Sequence, residues 1–357
     1  MDDPPRATSS SRDRSCEGAP GYEITLLAFS SITIHGLAFR EGEQVPVTLH
    51  RSVAYPARRF TRGSRNCSEL EGWDSLPPPV GKPHLELQLD KRLGAGRIGF
   101  VYSARVVGVL DRPGGVPVSN PRLGLSTELV VKLVRPTNCR SLARETWFYE
   151  RLTESEGYQG AVVPLCYGFF TVPMMSTQPP SLDPLEIKPW IDKNGRHVPL
   201  DFIKAQKEFG DHLPDDSDSY HDDERTCRTD SPWYEWQPNP ENPLLSVLLL
   251  ERLGETYSPE IYDQDQQSRN DIVDLIDGLS TATIMHHDFK FNNIVRSRSN
   301  VVCPRHGHAH EWRVIDFDRS EKWAKTMEGD DAFFFKFCRR QYIKKSFPAH
   351  FWYAVDG

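Results

Sequence analysis

The densest run of chemistry-bearing residues in the chain is MHHDFKFNNIV, residues 285–295. Asp288 stands five residues before Asn293, with Lys290 between them and a short apolar strand directly after. An aspartate accepts a proton from an attacking hydroxyl, an asparagine oxygen ligates Mg²⁺, and a lysine offsets charge on a transferred phosphoryl group. Packing alone gives no reason for such a cluster between a helix and a strand. Asp316 follows the apolar run Val314-Ile315. There its carboxylate either holds Mg²⁺ or simply closes a strand-end turn.

Three further signals lie upstream. Gly94-x-Gly96-x-x-Gly99 is a glycine loop whose amides can approach phosphate oxygens without a Cβ in the way. It reads equally as a plain glycine hairpin. A dinucleotide-binding turn would lead into a helix, and here the strand-like GFVYSARVV follows. Lys132, in Val-Val-Lys-Leu, puts an amine among apolar neighbours, where it is either paired or facing water at an edge. Glu145, on the next helix, is in reach of Lys132 as an ion pair, with Glu150 a competitor. Glu145 is preferred because Trp147, Phe148 and Leu152 turn that face inward.

The elements that must position these residues follow from periodicity. Alternation over Ile24–His50 predicts two or three strands, and LELQLDKRLGAGRIGFVYSARVVGVL predicts a hairpin. TELVVKLV, AVVPLCYGFFTVP and LLSVLLLERL read as strands, as do NNIVRS and RVIDFD. CRSLARETWFYERLT and SRNDIVDLIDGLSTATIM read as amphipathic helices, the second starting near Asn270 or Asp271. GDDAFFFKFCRRQYI reads as a helix with Arg339, Arg340, Lys344 and Lys345 on its solvated face and Asp330 or Asp331 as anchor. Residues 1–20 read as a disordered tail and 21–85 as a β-rich extension. The stretch at about 174–242 breaks all periodicity and carries Asp215, Asp216, Asp218, Asp222, Asp223 and Glu224, so it reads as a surface insertion.

With 43 Lys+Arg against 50 Asp+Glu the chain is mildly acidic, which argues against a general nucleic-acid partner. No apolar run is long enough to cross a bilayer, so no membrane is expected. The 7 cysteines are odd in number and scattered, which suits a reducing compartment, cytoplasmic or nuclear. Cys303, His306, His308 and His310 are metal-capable, but their spacing matches no standard zinc pattern and they read as a polar hairpin tip.

The order Gly loop, strand Lys, helix Glu, Asp-x-Lys-x-x-Asn, Asp-Phe resembles the protein-kinase superfamily, and with its long Pro/Asp-rich insertion the chain resembles the divergent kinase-like proteins abundant in fungi. The resemblance runs from about residue 86 to 320 and on to a domain over 86–357. It implies an α+β, bilobal fold with a β-rich upper lobe and a shortened helical lower lobe, and ATP with Mg²⁺ between them. By that resemblance Gly94, Gly96 and Gly99 cover the phosphates. Lys132 binds them and pairs with Glu145, and the segment around Glu251 lies against adenine. Asp288 is the catalytic base with Lys290 beside it, and Asn293 and Asp316 are the metal ligands. The expected partners are a nucleotide and a protein substrate, with Lys290 the Ser/Thr-type choice. Three features depart from the pattern: His287 replaces an arginine, Asp318 replaces a glycine, and no Ala-Pro-Glu motif follows. The alternatives they leave are a nucleotide-binding scaffold without turnover and a small-molecule phosphotransferase of the aminoglycoside or choline type.

Overall fold

The computed structural model describes residues 25–60, 73–96, 98–118, 125–154, 157–174, 185–190, 211, 213–216, 226–227, 229–262 and 264–323. The tail expected at 1–20, the helix expected near the C-terminus with its basic residues, and Asp218, Asp222, Asp223 and Glu224 lie outside them.

Period-two alternation builds the main body. The strands are β1 (Ser31–Arg40), β2 (Glu43–Arg51), β4 (His84–Ala95), β5 (Gly99–Leu110), β6 (Glu128–Val134), β7 (Cys166–Pro173) and β10 (Leu244–Glu251). They pair in the order β2-β7-β10-β6-β5-β4-β1, and β1 returns to β2, so seven strands close into a barrel. Closure removes the sheet edges. Short β8 (Glu186–Ile187) adds antiparallel to β1. Alternate residues fill the barrel: Leu129, Val131 and Leu133 of β6, Val247 and Leu249 of β10, Leu85 and Leu87 of β4, Ile32 and Ile34 of β1. The intervening residues, among them Val130, Val134, Leu248 and Leu250, face a second core built on helix α1 (Cys139–Glu154) with Leu142, Trp147 and Phe148. Lys132 shares that outward face and so points at α1 rather than into the barrel.

The closing step is a parallel pairing of β1 with β4, Ser31 opposite His84 through His35 opposite Gln88. A polar ladder ties the seam. Ser31 Oγ lies 2.7 Å from His84 Nδ1, Thr33 Oγ1 3.0 Å from His84 Nε2, and Thr33 and Thr48 hydroxyls are 2.7 Å apart. Within residues 21–85, β1, β2 and the start of β4 are thus staves of the barrel, while short β3 (Arg59–Phe60) pairs elsewhere.

Below α1 lie helix α2 (Gln266–Thr281) and short ribbons. Asp265, not Asn270 or Asp271, caps α2, accepting from Gln267 and Ser268 amides. β11 (Ile284–Met285) pairs with β14 (Glu321–Trp323), and β12 (Ile294–Arg296) with β13 (Trp312–Val314). β14 continues through β3 (Arg59–Phe60) to β9 (Thr226–Cys227). Among the described residues no helix is long and apolar enough to cross a membrane.

The α+β, bilobal expectation with a helical lower lobe is overturned. The described residues are dominated by the closed seven-strand barrel, and only α1 and α2 exceed a single turn of α-helix. The order of chemical residues constrains a site, not the layers that carry it. The strands that close the barrel pair across long sequence separations, which periodicity does not report.

The acidic insertion is also not wholly on the surface. Asp215 is buried and pairs with Arg144 of α1 while accepting from the Arg58 amide at 3.0 Å. Asp211 accepts from the amide of Ser141 in the first turn of α1 at 3.1 Å, where helix amides lack internal partners.

Candidate functional site

A cavity of about 580 Å³ opens between the barrel wall, α1 and the two ribbons. Gly94, Gly96, Gly99, Lys132, Glu145, Glu251, Asp288, Lys290, Asn293 and Asp316 all line it. Residues singled out across more than two hundred positions of sequence therefore share one hollow.

Two antiparallel ribbons hold its floor. Residues 286–293 run from β11 to β12, and 315–320 run from β13 to β14, so each loop is clamped at both ends by the same two pairings. Crosslinks tighten the arrangement. Buried His286 donates from Nε2 to the Ile315 carbonyl at 2.9 Å, and the Ile315 amide donates to the Asn293 carbonyl at 3.0 Å. His286 also packs edge-on against Phe317 at 4.8 Å. His287 and Asp316 both hold left-handed backbone, φ 52° and φ 71°, a conformation uncommon outside glycine. Strain of this kind persists only where surrounding structure imposes it, and here it lies in the two floor loops.

Lys132 is the hub. Its Nζ lies 2.5 Å from Glu145 Oε2 and 2.6 Å from Asp316 Oδ1. Glu150 does not compete: it lies 3.8 Å from Arg51 Nη2 and accepts from the Leu76 amide at 3.0 Å. Burial works against a charged Lys132, but the Asp316 and Glu145 carboxylates outweigh it and hold the ammonium protonated well above the ordinary range. Burial likewise pushes Asp316 up, and Lys132 more than reverses it, leaving that carboxylate below its usual range. Glu145 is nearly inaccessible, with 1% of its side chain exposed against 31% for Asp316. Desolvation therefore prevails there over the attraction of Lys132, and its pKa rises to about 7. Of the two carboxylates on Lys132, Asp316 is the firmly ionised one.

Asp288 and Asn293 sit opposite. The Asn293 side-chain nitrogen donates to the Asp288 carbonyl at 2.8 Å and to Asp288 Oδ2 at 3.2 Å, which leaves Asn293 Oδ1 as the oxygen to offer a cation. Lys290 Nζ is 2.8 Å from Asp288 Oδ2, and about a third of the Asp288 side chain is exposed. Asn293 Oδ1 and the Asp316 carboxylate are hard oxygen donors of the kind Mg²⁺ takes. The cavity also has apolar walls, Leu93, Ile98, Val101, Val130, Leu250 and Val295. Glu251 lies there at the end of β10, its Oε1 buried without a hydrogen-bond partner among the described residues. Burial raises its pKa, with Arg313 partly opposing.

The glycines divide. A Cβ on Gly94 or Gly96 would meet nothing within 4 Å, so their backbone is open to the cavity. A Cβ on Gly99 would stand 2.1 Å from the Leu133 carbonyl oxygen. Gly99 lets β5 and β6 approach, a packing reason rather than a ligand reason.

Sequence reasoning missed Arg319 and His286. Arg319 lines the main cavity and also a second, shallower depression of about 490 Å³ bounded by Pro214, His287, Asp288, Lys290 and Glu321. Its position just after Asp-Phe-Asp was the available signal. His287 meets Glu321 at 3.0 Å at that second mouth. Arg144, next to Glu145, was missed as well. It donates to the Asp318 and Ser320 carbonyls at 3.2 and 2.6 Å and so ties α1 to the loop carrying Asp316.

No family model and no curated protein sequence matches the chain.

Proposed function

We propose that the chain is a Mg²⁺- and ATP-dependent phosphotransferase, chemically kinase-like in its site. The observation that carries this reading is the Lys132 hub: one ammonium touching a buried carboxylate on α1 and an ionised carboxylate on the floor of a cavity that also holds Asp288 and Asn293. An apolar slot continuous with a cluster of one cation and two oxygen donors suits a flat base joined to a metal-bound polyphosphate. Asn293 and Asp316 would hold the metal, and Lys132 the phosphates. Gly94 and Gly96 would present their open backbone to those phosphates. The acceptor hydroxyl would enter from the second depression, where Asp288 takes its proton, and Lys290 and Arg319 would offset charge on the phosphoryl group in flight.

A radiolabel assay with Mg·ATP tests this against a panel of peptides, sugars and amino alcohols. Transfer that is lost in Asp288→Asn supports it. A wild-type chain that transfers nothing under any divalent metal sinks it.

A second reading, nucleotide binding without turnover, is favoured by one contact. Lys290 Nζ lies 2.8 Å from Asp288 Oδ2, so the oxygen that would take the acceptor's proton is already engaged. Under that reading Mg·ATP raises the melting temperature by mass action while no product forms.

A further inference from the structure

The long excursion between β12 and β13 carries a second cluster, none of whose residues lines the cavity. It is not a polar tip: Cys303 is fully buried and His310 is 2% exposed. Val302 bridges Ala309 across the excursion, the Gly307 amide donates to the Cys303 carbonyl, and the Cys303 amide donates to the His308 carbonyl. This tight turn gathers three donor atoms. Cys303 Sγ lies 3.4 Å from His306 Nδ1, and His306 Nδ1 lies 3.0 Å from His310 Nε2. The three converge within 4.8 Å of one another.

The far side of each imidazole meets a carboxylate of α2. His306 Nε2 is 3.2 Å from Asp277 Oδ2, and His310 Nδ1 is 2.5 Å from Asp271 Oδ1. Asp271 is itself fixed by the Trp312 amide at 2.9 Å. A carboxylate only accepts, so each histidine carries its N–H on that side. Two imidazole lone pairs then face each other at 3.0 Å, with a thiol sulfur beside them. Such a set is repulsive unless a cation lies between.

We propose that Cys303, His306 and His310 bind one Zn²⁺, with water in the fourth position. Zn–S of about 2.3 Å and Zn–N of about 2.0–2.1 Å place tetrahedral neighbours roughly 3.3–3.6 Å apart; the sulfur to His306 separation of 3.4 Å lies in that range, and the 3.0 Å between the two imidazole nitrogens widens by a few tenths of an ångström on binding. Binding displaces the Cys303 thiol proton and leaves a thiolate ligand. Asp271 and Asp277 supply the carboxylate–histidine–metal relay that orients ligands and raises their basicity. The ion staples the excursion on itself, and the contacts of His306 with Asp277 and of His310 with Asp271 hold it against α2. The ribbon that leaves the staple carries Asn293 at the foot of β12 and Asp316 beyond β13. Neither the cluster nor this argument depends on the nucleotide reading. The competing occupant is a proton shared between His306 and His310.

Metal analysis of the full chain, purified without chelator, tests the site. The expected result is about one zinc per chain. Replacement by Co²⁺ should give the sulfur-to-cobalt charge-transfer band and the strong d–d absorption of four-coordinate cobalt. Cys303→Ser should lose the charge-transfer band. Asp277→Asn, which leaves all three ligands in place, should bind zinc about 10- to 100-fold more weakly. A wild-type chain that holds no zinc and gives no thiolate–cobalt band overturns the proposal in favour of the shared proton. Zinc content or affinity unchanged in Cys303→Ser or in Asp277→Asn overturns it as well.

Discussion

Lys132 and Asp316, 184 positions apart, meet with Nζ 2.6 Å from Oδ1, and the same ammonium reaches Glu145 of α1. One side chain thereby joins the barrel wall, the helix beneath it and the floor loop. The contact also sets the charge state of the site, because it holds Asp316 ionised and Lys132 protonated.

Lys132→Met should weaken Mg·ATP binding about 10- to 100-fold, the equivalent of losing charge-assisted hydrogen bonds of roughly 1.5–3 kcal/mol. The fold should persist, because Glu145, with its pKa already near 7, can take a proton when its partner goes. Calorimetric titration with circular dichroism as a control reads both. Unaltered affinity would remove Lys132 from the proposed nucleotide site.

Asp288→Asn should separate binding from chemistry. Asp288 touches only Lys290 and Asn293 among the site side chains, at the mouth shared with the second depression. Turnover should fall about 10²- to 10⁴-fold, as expected for loss of a general base, with nucleotide affinity nearly constant. Single-turnover kinetics at saturating ATP would show this, and an equal fall in affinity would instead make Asp288 a binding residue.

What the sequence made legible was local. Lys132 on its strand and Glu145 on its helix follow from periods of 2.0 and 3.6, and Asp288, Asn293 and Asp316 follow from residue type beside short apolar strands. What it hid was long-range. The parallel seam of β1 on β4, with Ser31, Thr33 and His84 across it, pairs segments some fifty residues apart. Nothing in either segment alone announces the other, and so the resemblance implies an upper lobe where the chain closes a barrel. Asp215 looked like part of a solvated acidic run because its partner, Arg144, lies 71 residues away. Gly99 looked like a phosphate-loop glycine because its neighbour across the sheet, Leu133, is invisible in one dimension. The histidines at 306 and 310 looked polar because Asp277 and Asp271, which face them, belong to a different element.

Gly99→Ala and Gly96→Ala should behave oppositely. The Gly99 Cβ would strike the Leu133 carbonyl and Val134 Cα, both backbone atoms that cannot swing aside. A loss of about 1–3 kcal/mol is expected from overpacking. At Gly96 the added methyl enters open space, so stability should hold within about 1 kcal/mol while nucleotide affinity drops. Urea unfolding paired with ATP titration distinguishes them. Equal destabilisation by both would show that the glycine loop is packed rather than open.

Glu150→Gln should change how stability depends on pH. Burial lifts the Glu150 pKa from an ordinary 4.5 to about 7, against the opposing pull of Arg51. Between those values the folded chain keeps a proton that the unfolded chain has released. The contribution of Glu150 is therefore complete below about pH 4.5 and is lost as pH rises through 7. Glutamine occupies the same place but does not titrate. The stability of wild type relative to Glu150→Gln should thus decline by on the order of 2–4 kcal/mol from acidic to mildly alkaline conditions. Denaturant melts of both proteins at pH steps across that window measure the difference. Parallel profiles would mean that Glu150 stays ionised beside Arg51 throughout, with the ion pair outweighing its burial.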